Sequence, residues 1–211
     1  MAHVTLLLVD GTGIAVRSWW ASAKGCPDRF AAAVQRALPT GGADVVACWD
    51  GVGSWRRELF APYKMNRPPK PEALGRALED CRRAFPGFIA DRYEADDLIA
   101  TFARDTAREN VVLVLSDDKD LLQLVAPRCL VVNSAGKVFD EKAVADKFGV
   151  PPYRIRHLLS WMGDKVDGLP GVPGYGKKRA AEMARDGKIG STMTYDLTEL
   201  ATVPSSAMRR A

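Results

Sequence analysis

Val111-Val112-Leu113-Val114-Leu115-Ser116-Asp117-Asp118-Lys119-Asp120 passes without a break from five apolar residues, three of them β-branched, into a knot of acids. A run of that length with polar flanks reads as a strand buried on both faces, the kind that builds parallel sheets. Two other stretches repeat the pattern: Val4–Val9 leads into Asp10, and Val45–Trp49 into Asp50. Helical periodicity occupies the intervals, over Asp28–Leu38, Pro71–Phe85, Ala95–Glu109 and Glu141–Phe148. Leu74, Ala77, Leu78 and Cys81 share one helical face, and Leu98, Ile99 and Phe102 another. Alternating strands and helices predict an α/β fold, a mostly parallel sheet flanked by helices. In such a sheet the acids after the strands gather on one edge, where open α/β folds place ligands.

Composition narrows the chemistry. The chain has 211 residues, 47% hydrophobic and 27% charged, which suits one folded domain with a smaller appended region. Its longest apolar run is far below the roughly 18 residues of a membrane span. No basic stretch precedes that run, so no signal peptide and no membrane partner are expected. Cys26, Cys48, Cys81 and Cys129 are widely spaced and form no CxxC pair. Structural zinc and a disulfide framework are therefore disfavoured, and a cytoplasmic setting is expected. His3 and His157 leave little material for histidine-based catalysis.

The acids carry more information. Glu94, Asp96 and Asp97 open the helix before the third strand, where one acid suffices for a cap. Asp164 and Asp167 are spaced i, i+3 and share a face if helical. With Asp10, Asp50, Asp118 and Asp120 they make nine carboxylates for one site. Such a cluster repels itself and is most readily maintained by divalent cations. All-oxygen ligation points to Mg²⁺ or Mn²⁺ rather than zinc, and carboxylate-held metals commonly serve phosphodiester hydrolysis. Setting these nine aside leaves 30 basic residues against 17 acids, a surface suited to a polyanion.

Two breaks divide the chain. Pro62–Pro71 is a proline-rich basic stretch, and Pro151–Pro152 opens a helical region with eight basic and four acidic residues through Gly190. The division expected is a core over 1–150 with an insertion at about 56–92, a second region over 151–190, and a short, weakly ordered tail over 191–211.

Six blocks occur in order: Leu8-Val9-Asp10-Gly11, Trp49-Asp50, Tyr63-Lys64-Met65-Asn66-Arg67-Pro68, Glu94-Ala95-Asp96-Asp97, Asp118-Lys119-Asp120-Leu121, and Gly163-Asp164-Lys165-Val166-Asp167 continuing to Lys178. Over about residues 4–186 the chain resembles the 5′-nuclease (flap endonuclease) family, which includes bacteriophage 5′-exonucleases and the 5′-nuclease domain of DNA polymerase I. The resemblance implies a PIN-like core, a helical arch over the insertion and a helix–three-turn–helix over Pro152–Arg185. It implies two Mg²⁺ ions, replaceable by Mn²⁺: Asp10, Asp50, Glu94 and Asp96 at the first, and Asp96, Asp118, Asp120 and Asp167 at the second. Asp97 and Asp164 would complete the shell. Tyr63, Lys64 and Arg67 match the basic start of the arch, with Lys64 either on the scissile phosphate or merely positioning it. Arg17 and Arg56 would contact DNA backbone or form surface ion pairs. Gly171, Val172, Gly174 and Gly176 form a loop through which the backbone approaches DNA. Lys177, Lys178 and Arg179 follow at a helix start that favours phosphate, and loop carbonyls would take K⁺. Partners implied are DNA with 5′ flaps or ends, RNA primers on DNA, and a separate DNA polymerase, with the nuclease acting as a monomer.

Other readings stay open. Gly171-x-x-x-x-Gly176-Lys177 fits most of a nucleotide-binding loop, but Lys178 stands where Ser or Thr would hold Mg²⁺. Asp10-Gly11-Thr12 echoes a phosphatase motif that needs a second Asp at Thr12. A PIN-like ribonuclease shares the acidic core, and a non-cleaving DNA-binding module shares the basic surface. Asp117 is an extra acid that either alters metal affinity or faces solvent. The short tail bears on the strength of duplex binding.

Overall fold

The computed structural model describes residues 5–211; Val4, where the first apolar run begins, lies outside them. Strands β1 (Thr5–Asp10), β2 (Asp44–Asp50), β3 (Gly87–Ala90), β4 (Val111–Leu115), β5 (Cys129–Val132) and β6 (Val138–Phe139) are followed by a two-residue hairpin, β7 (Gly163–Asp164) and β8 (Leu169–Pro170), and by β9 (Arg209–Arg210). The helices are α1 (Gly11–Ala21), α2 (Cys26–Ala37), α3 (Trp55–Leu59), α4 (Glu72–Ala84), α5 (Ala95–Thr106), α6 (Glu141–Phe148), α7 (Ile155–Met162), α8 (Lys177–Arg185) and α9 (Thr192–Thr198). The main sheet runs β6-β5-β4-β1-β2-β3-β9, parallel through its five central strands and antiparallel at both edges.

The continuous apolar runs are explained by cover on both faces. Leu7 and Val9 of β1, Trp49 of β2 and Leu113 and Leu115 of β4 pack with α1, α2 and α4. Their alternate neighbours Leu8, Cys48, Val112 and Val114 face α5, α7 and α8. This is the two-residue period of a strand applied to a sheet with no wet face. Trp49 anchors the first layer, stacked on Phe30 with ring centroids 5.8 Å apart and donating to the Phe85 carbonyl. No helix of the described residues is long and apolar enough to cross a membrane.

Three features depart from the sequence reading. β3, β5 and α1 carry no long periodic signal: β3 and β5 span four residues each, and α1 begins directly where β1 ends. The insertion at 56–92 is mostly not an arch. Its helix α4 is the crossover between β2 and β3, burying Leu74, Ala77 and Cys81. Only the turns and coil between Phe60 and Pro71 are left to cross the sheet edge. The tail, expected to be weakly ordered, instead forms α9, buries Leu197, Leu200 and Val203, and returns as β9 beside β3. Three apolar residues spread over seven positions give too little periodicity to announce this, yet Leu200 and Val203 join the core of α5 and α7, and Leu197 packs with Tyr63 and Leu169.

Leu200 joins the same core as Leu98 and Val114, so Leu200→Ala is expected to cost about 2–5 kcal/mol in urea unfolding, the range for emptying a buried leucine site. A dispensable tail would show almost no change.

Candidate active site at the edge of the sheet

Asp10 ends β1 and caps α1, accepting the Gly13 amide at 2.8 Å and the Ser116 hydroxyl at 2.7 Å. Ser116 Oγ in turn accepts the Asp118 amide at 3.0 Å, so one buried hydroxyl sets both acids. Burial pushes Asp10 up to about 7; its two hydrogen bonds oppose the rise and the charges of Asp50 and Asp118 add to it. Asp50, at the end of β2, is fixed by its amide on Thr12 Oγ1 and by accepting the Ala95 amide, both at 2.9 Å. Burial raises it as well, with Glu94 adding and Lys64 and Lys70 opposing.

The three acids opening α5 have different tasks. Glu94 accepts Lys64 Nζ at 2.6 Å and the Tyr63 hydroxyl at 3.2 Å. Burial works against its charge, but Lys64 and Arg56 prevail and hold it below its ordinary value. Asp96 is half-buried; burial and the charges of Asp118 and Asp10 hold it well above the carboxylate range. Asp97 was expected in the metal shell and is instead structural. It is fully buried, takes both terminal nitrogens of Arg56 at 2.9 and 3.0 Å, and accepts Trp55 Nε1 and the amides of Glu94 and Ala201. With five donors on its two oxygens it has nothing left for a metal.

Arg56 and Tyr63 need the same correction as DNA contacts. Arg56 is 2% exposed and spends its remaining donors on the carbonyls of Leu197 and Glu199. Tyr63 is 3% exposed, with its ring against Leu169 and Leu197. Lys64 follows in the left-handed region at φ +57°, its amide on the Asp167 carbonyl at 2.9 Å. A backbone so placed costs energy, and here it turns the ammonium inward to Glu94.

On the far side of the cluster, Asp118 accepts the Asp120 amide at 2.8 Å. Burial takes Asp120 up to about 8, with Asp118, Asp164 and Asp167 adding and Lys119 opposing. Its Oδ1 is buried without a hydrogen bond, and Lys119 Nζ stands 3.7 Å away. That ammonium is instead bonded to Asp164, and Arg67 is bonded to Asp167. Lys64, Arg67 and Lys119 thus serve as internal counterions. As the side chains lie, no three Asp, Glu, His or Cys among the described residues are spaced to hold a metal ion. The donor set nonetheless fits a hard divalent cation: it is all oxygen, it is self-repelling, and one buried carboxylate oxygen makes no hydrogen bond.

Residues expected to meet DNA divide sharply. Lys177, Lys178 and Arg179 are exposed at the start of α8, although Lys177 Nζ also reaches the Lys147 carbonyl and Arg179 lies over Tyr175. Gly174 and Gly176 have open space where a Cβ would stand, but Gly171 does not: its Cβ would fall 2.3 Å from the Met162 carbonyl oxygen. Gly171 therefore serves the close crossing of β7 and β8. Val172 donates its amide to Trp161. Arg17 is exposed and paired with Asp117 at 3.1 Å, which gives that extra acid a partner outside the cluster. Thr12, Ser116 and Lys119 were not singled out from the sequence. The only signal was proximity: Thr12 stands two residues after Asp10, Ser116 two before Asp118, and Lys119 between Asp118 and Asp120.

Residues 5–149 match the family described as 5′-3′ exonuclease, N-terminal resolvase-like domain. The thermostable DNA polymerase I of Thermus filiformis is 35% identical over 193 residues, 84% of this chain and 23% of that protein, so the chain spans less than a quarter of this relative. A 5′-3′ exonuclease of Aquifex aeolicus is 34% identical, with 89% of this chain and 70% of its own length covered. In fold the chain is similar to T5 5′-exonuclease bound to zinc ions (TM-score 0.76, 23% identity, 86% of this chain and 75% of that one).

Removing one member of a buried ion pair strands the other. Arg56→Ala is expected to cost about 3–5 kcal/mol in chemical unfolding, and Asp97→Asn in the same chain should recover part of it. Truncating a solvent-exposed arginine would leave stability nearly unchanged.

Proposed function

Because the chain belongs to the 5′-3′ exonuclease family, we propose that it is a structure-specific 5′-nuclease that hydrolyses DNA phosphodiesters near junctions of single strand and duplex. The observation that carries this reading is the self-repelling group of Asp10, Asp50, Asp96, Asp118 and Asp120 at the sheet edge, with a buried Asp120 oxygen that makes no hydrogen bond. Asp10, Asp50, Glu94, Asp96, Asp118, Asp120, Asp164 and Asp167 would hold two divalent ions, Mg²⁺ with Mn²⁺ as substitute. Bound there, such ions neutralise the carboxylates, activate water and stabilise the leaving oxygen of a phosphodiester.

The chain's own residues supply the rest. Ser116 and Thr12 hold Asp10, Asp118 and the end of β2 in fixed register. Lys64 and Arg67, bonded to carboxylates, lie beside the space where a phosphate would sit, and neutralisation of those carboxylates would free both cations for it. The segment over 60–71 would guide a 5′ strand. The helix pair α7 and α8 would hold duplex through the exposed Lys177, Lys178 and Arg179, with K⁺ on the carbonyls of the 171–176 loop. No base-reading element lies in this set, so recognition would be of shape and ends. Substrates would be 5′ flaps, 5′ ends and RNA primers on DNA, processed by a monomer in the cytoplasm in concert with a DNA polymerase. Four buried free cysteines suit that compartment.

The test is cleavage of an end-labelled 5′-flap duplex. In Mg²⁺ the protein should cut near the junction, EDTA should abolish cutting, and Asp118→Ala should lower the rate by about 10²–10³-fold. Intact flap in Mg²⁺ would end the nuclease reading. Lys119→Met removes the ammonium that competes for Asp164 and Asp120, so Mn²⁺ binding followed by electron paramagnetic resonance should tighten several-fold. Weakened binding would show that Lys119 supports the metal shell rather than standing in for it.

A further inference from the structure

Two of the four buried cysteines form a pair. Cys26 is the first residue of α2, and Cys81 opens the last turn of α4. Both are 0% exposed, in the apolar layer that also holds Ile14, Phe30 and Trp49. Their sulfurs stand 3.6 Å apart, and Cys26 Sγ donates to the Ala15 carbonyl at 3.4 Å. With that proton on Ala15, the Cys81 thiol donates to the Cys26 sulfur. This is contact distance for two thiols rather than the roughly 2.05 Å of a bond, so the pair is reduced in the resting fold. Among the described residues neither Cys48 nor Cys129 has a sulfur neighbour of this kind.

Burial raises both thiols, Cys81 to about 12 and Cys26 despite the opposing hydrogen bond from Cys81. A protonated thiol is a poor nucleophile, so the closed protein resists oxidation. The start of α2 offers an opening. Gly25 supplies no side-chain cap, Pro27 brings no amide, and Ala23 and Lys24 are exposed. Uncapped terminal turns open well below the cost of global unfolding, and unwinding this one brings Cys26 to water while Cys81 stays within α4. We propose that Cys26 and Cys81 are a reversible disulfide pair, closed by a low-molecular-weight disulfide such as oxidised glutathione. Cys26, deprotonated on exposure, attacks one sulfur of the oxidant and expels the first glutathione. Cys81 then attacks the Cys26 sulfur of the mixed disulfide and expels the second. The protons lost by the two cysteines end on the two glutathione molecules, and the protein gives two electrons to the oxidant. The new bond joins positions 55 apart and encloses β2, α3 and the 60–71 segment, which constrains the unfolded chain. Disulfides of the cytoplasm are commonly transient and responsive. This one braces the layer on which α1, the helix capped by Asp10, packs. It does not depend on the nuclease reading.

The test is incubation of the full chain with oxidised glutathione, followed by thiol counting after denaturation and by intact mass. Wild type should lose two of its four thiols and two hydrogens in mass, with no glutathione retained. A non-reducing digest should link the Cys26 and Cys81 peptides. The thermal midpoint should rise by about 5–15 °C and return with dithiothreitol. Cys81→Ala should stop at the mixed disulfide, carrying one glutathione on Cys26; the wild-type digest decides the pairing if that variant does not fold. Four thiols remaining at equilibrium, glutathione retained on the wild type, a link through Cys48 or Cys129, or a bridged protein that melts no higher than the reduced one overturns the proposal.

Discussion

One buried carboxylate organises the ground on which the site stands. Asp97 collects Arg56 from α3, the amide of Glu94 from its own helix start and the amide of Ala201 from the tail. A charge so far from water persists only because every lone pair has a donor and the guanidinium neutralises it. The consequence is positional: the pair pins the segment after β2 to the start of α5, and thereby fixes where Glu94 and Asp96 stand. The tail closes the arrangement, since Leu197 and Glu199 offer carbonyls to the same arginine. Three segments distant in sequence are held by one ion pair.

Around it the electrostatics are graded. Asp97 has a fully buried cation, Glu94, Asp164 and Asp167 have partly exposed ones, and Asp10, Asp96 and Asp120 are each crowded by other carboxylates, with Asp118 common to all three. Like charges crowded at low dielectric resist ionisation. Lysine and arginine on flexible stems can leave, which a packed ion pair such as Arg56–Asp97 cannot. The gradient separates acids that build the fold from acids available for chemistry.

Much of this was legible in the sequence because chemistry and topology coincide there. An apolar run ending in an acid states at once that a strand is buried and where its ligand edge lies, and β1, β2 and β4 follow that rule. Asp97 was misread because adjacent acids at a helix start look alike in one dimension, and only the 3.6-residue rotation buries Asp97 fully while leaving Asp96 half-buried near Asp10 and Asp118. Arg56 was misread because a basic residue near acids reads as surface until its burial is known. α1 was missed because the one stripe it buries, Gly11, Ile14, Ala15 and Ser18, holds a single large apolar residue, and the tail because it follows a shape others made.

The strand order carries a temporal consequence. β1 is central, yet its two partners are β2, which follows within forty positions, and β4, which begins at Val111. During synthesis from the N-terminus, β1 and β2 can associate early while the other edge of β1 waits for β4. Pairing across that separation carries a loop-closure cost and slows folding. In that interval a bare hydrophobic edge of Leu6, Leu7, Leu8 and Val9 is available to any other extended chain. The nascent protein therefore passes through a window of vulnerability to misassembly whose length is set by translation of the hundred residues between the two halves of its own centre.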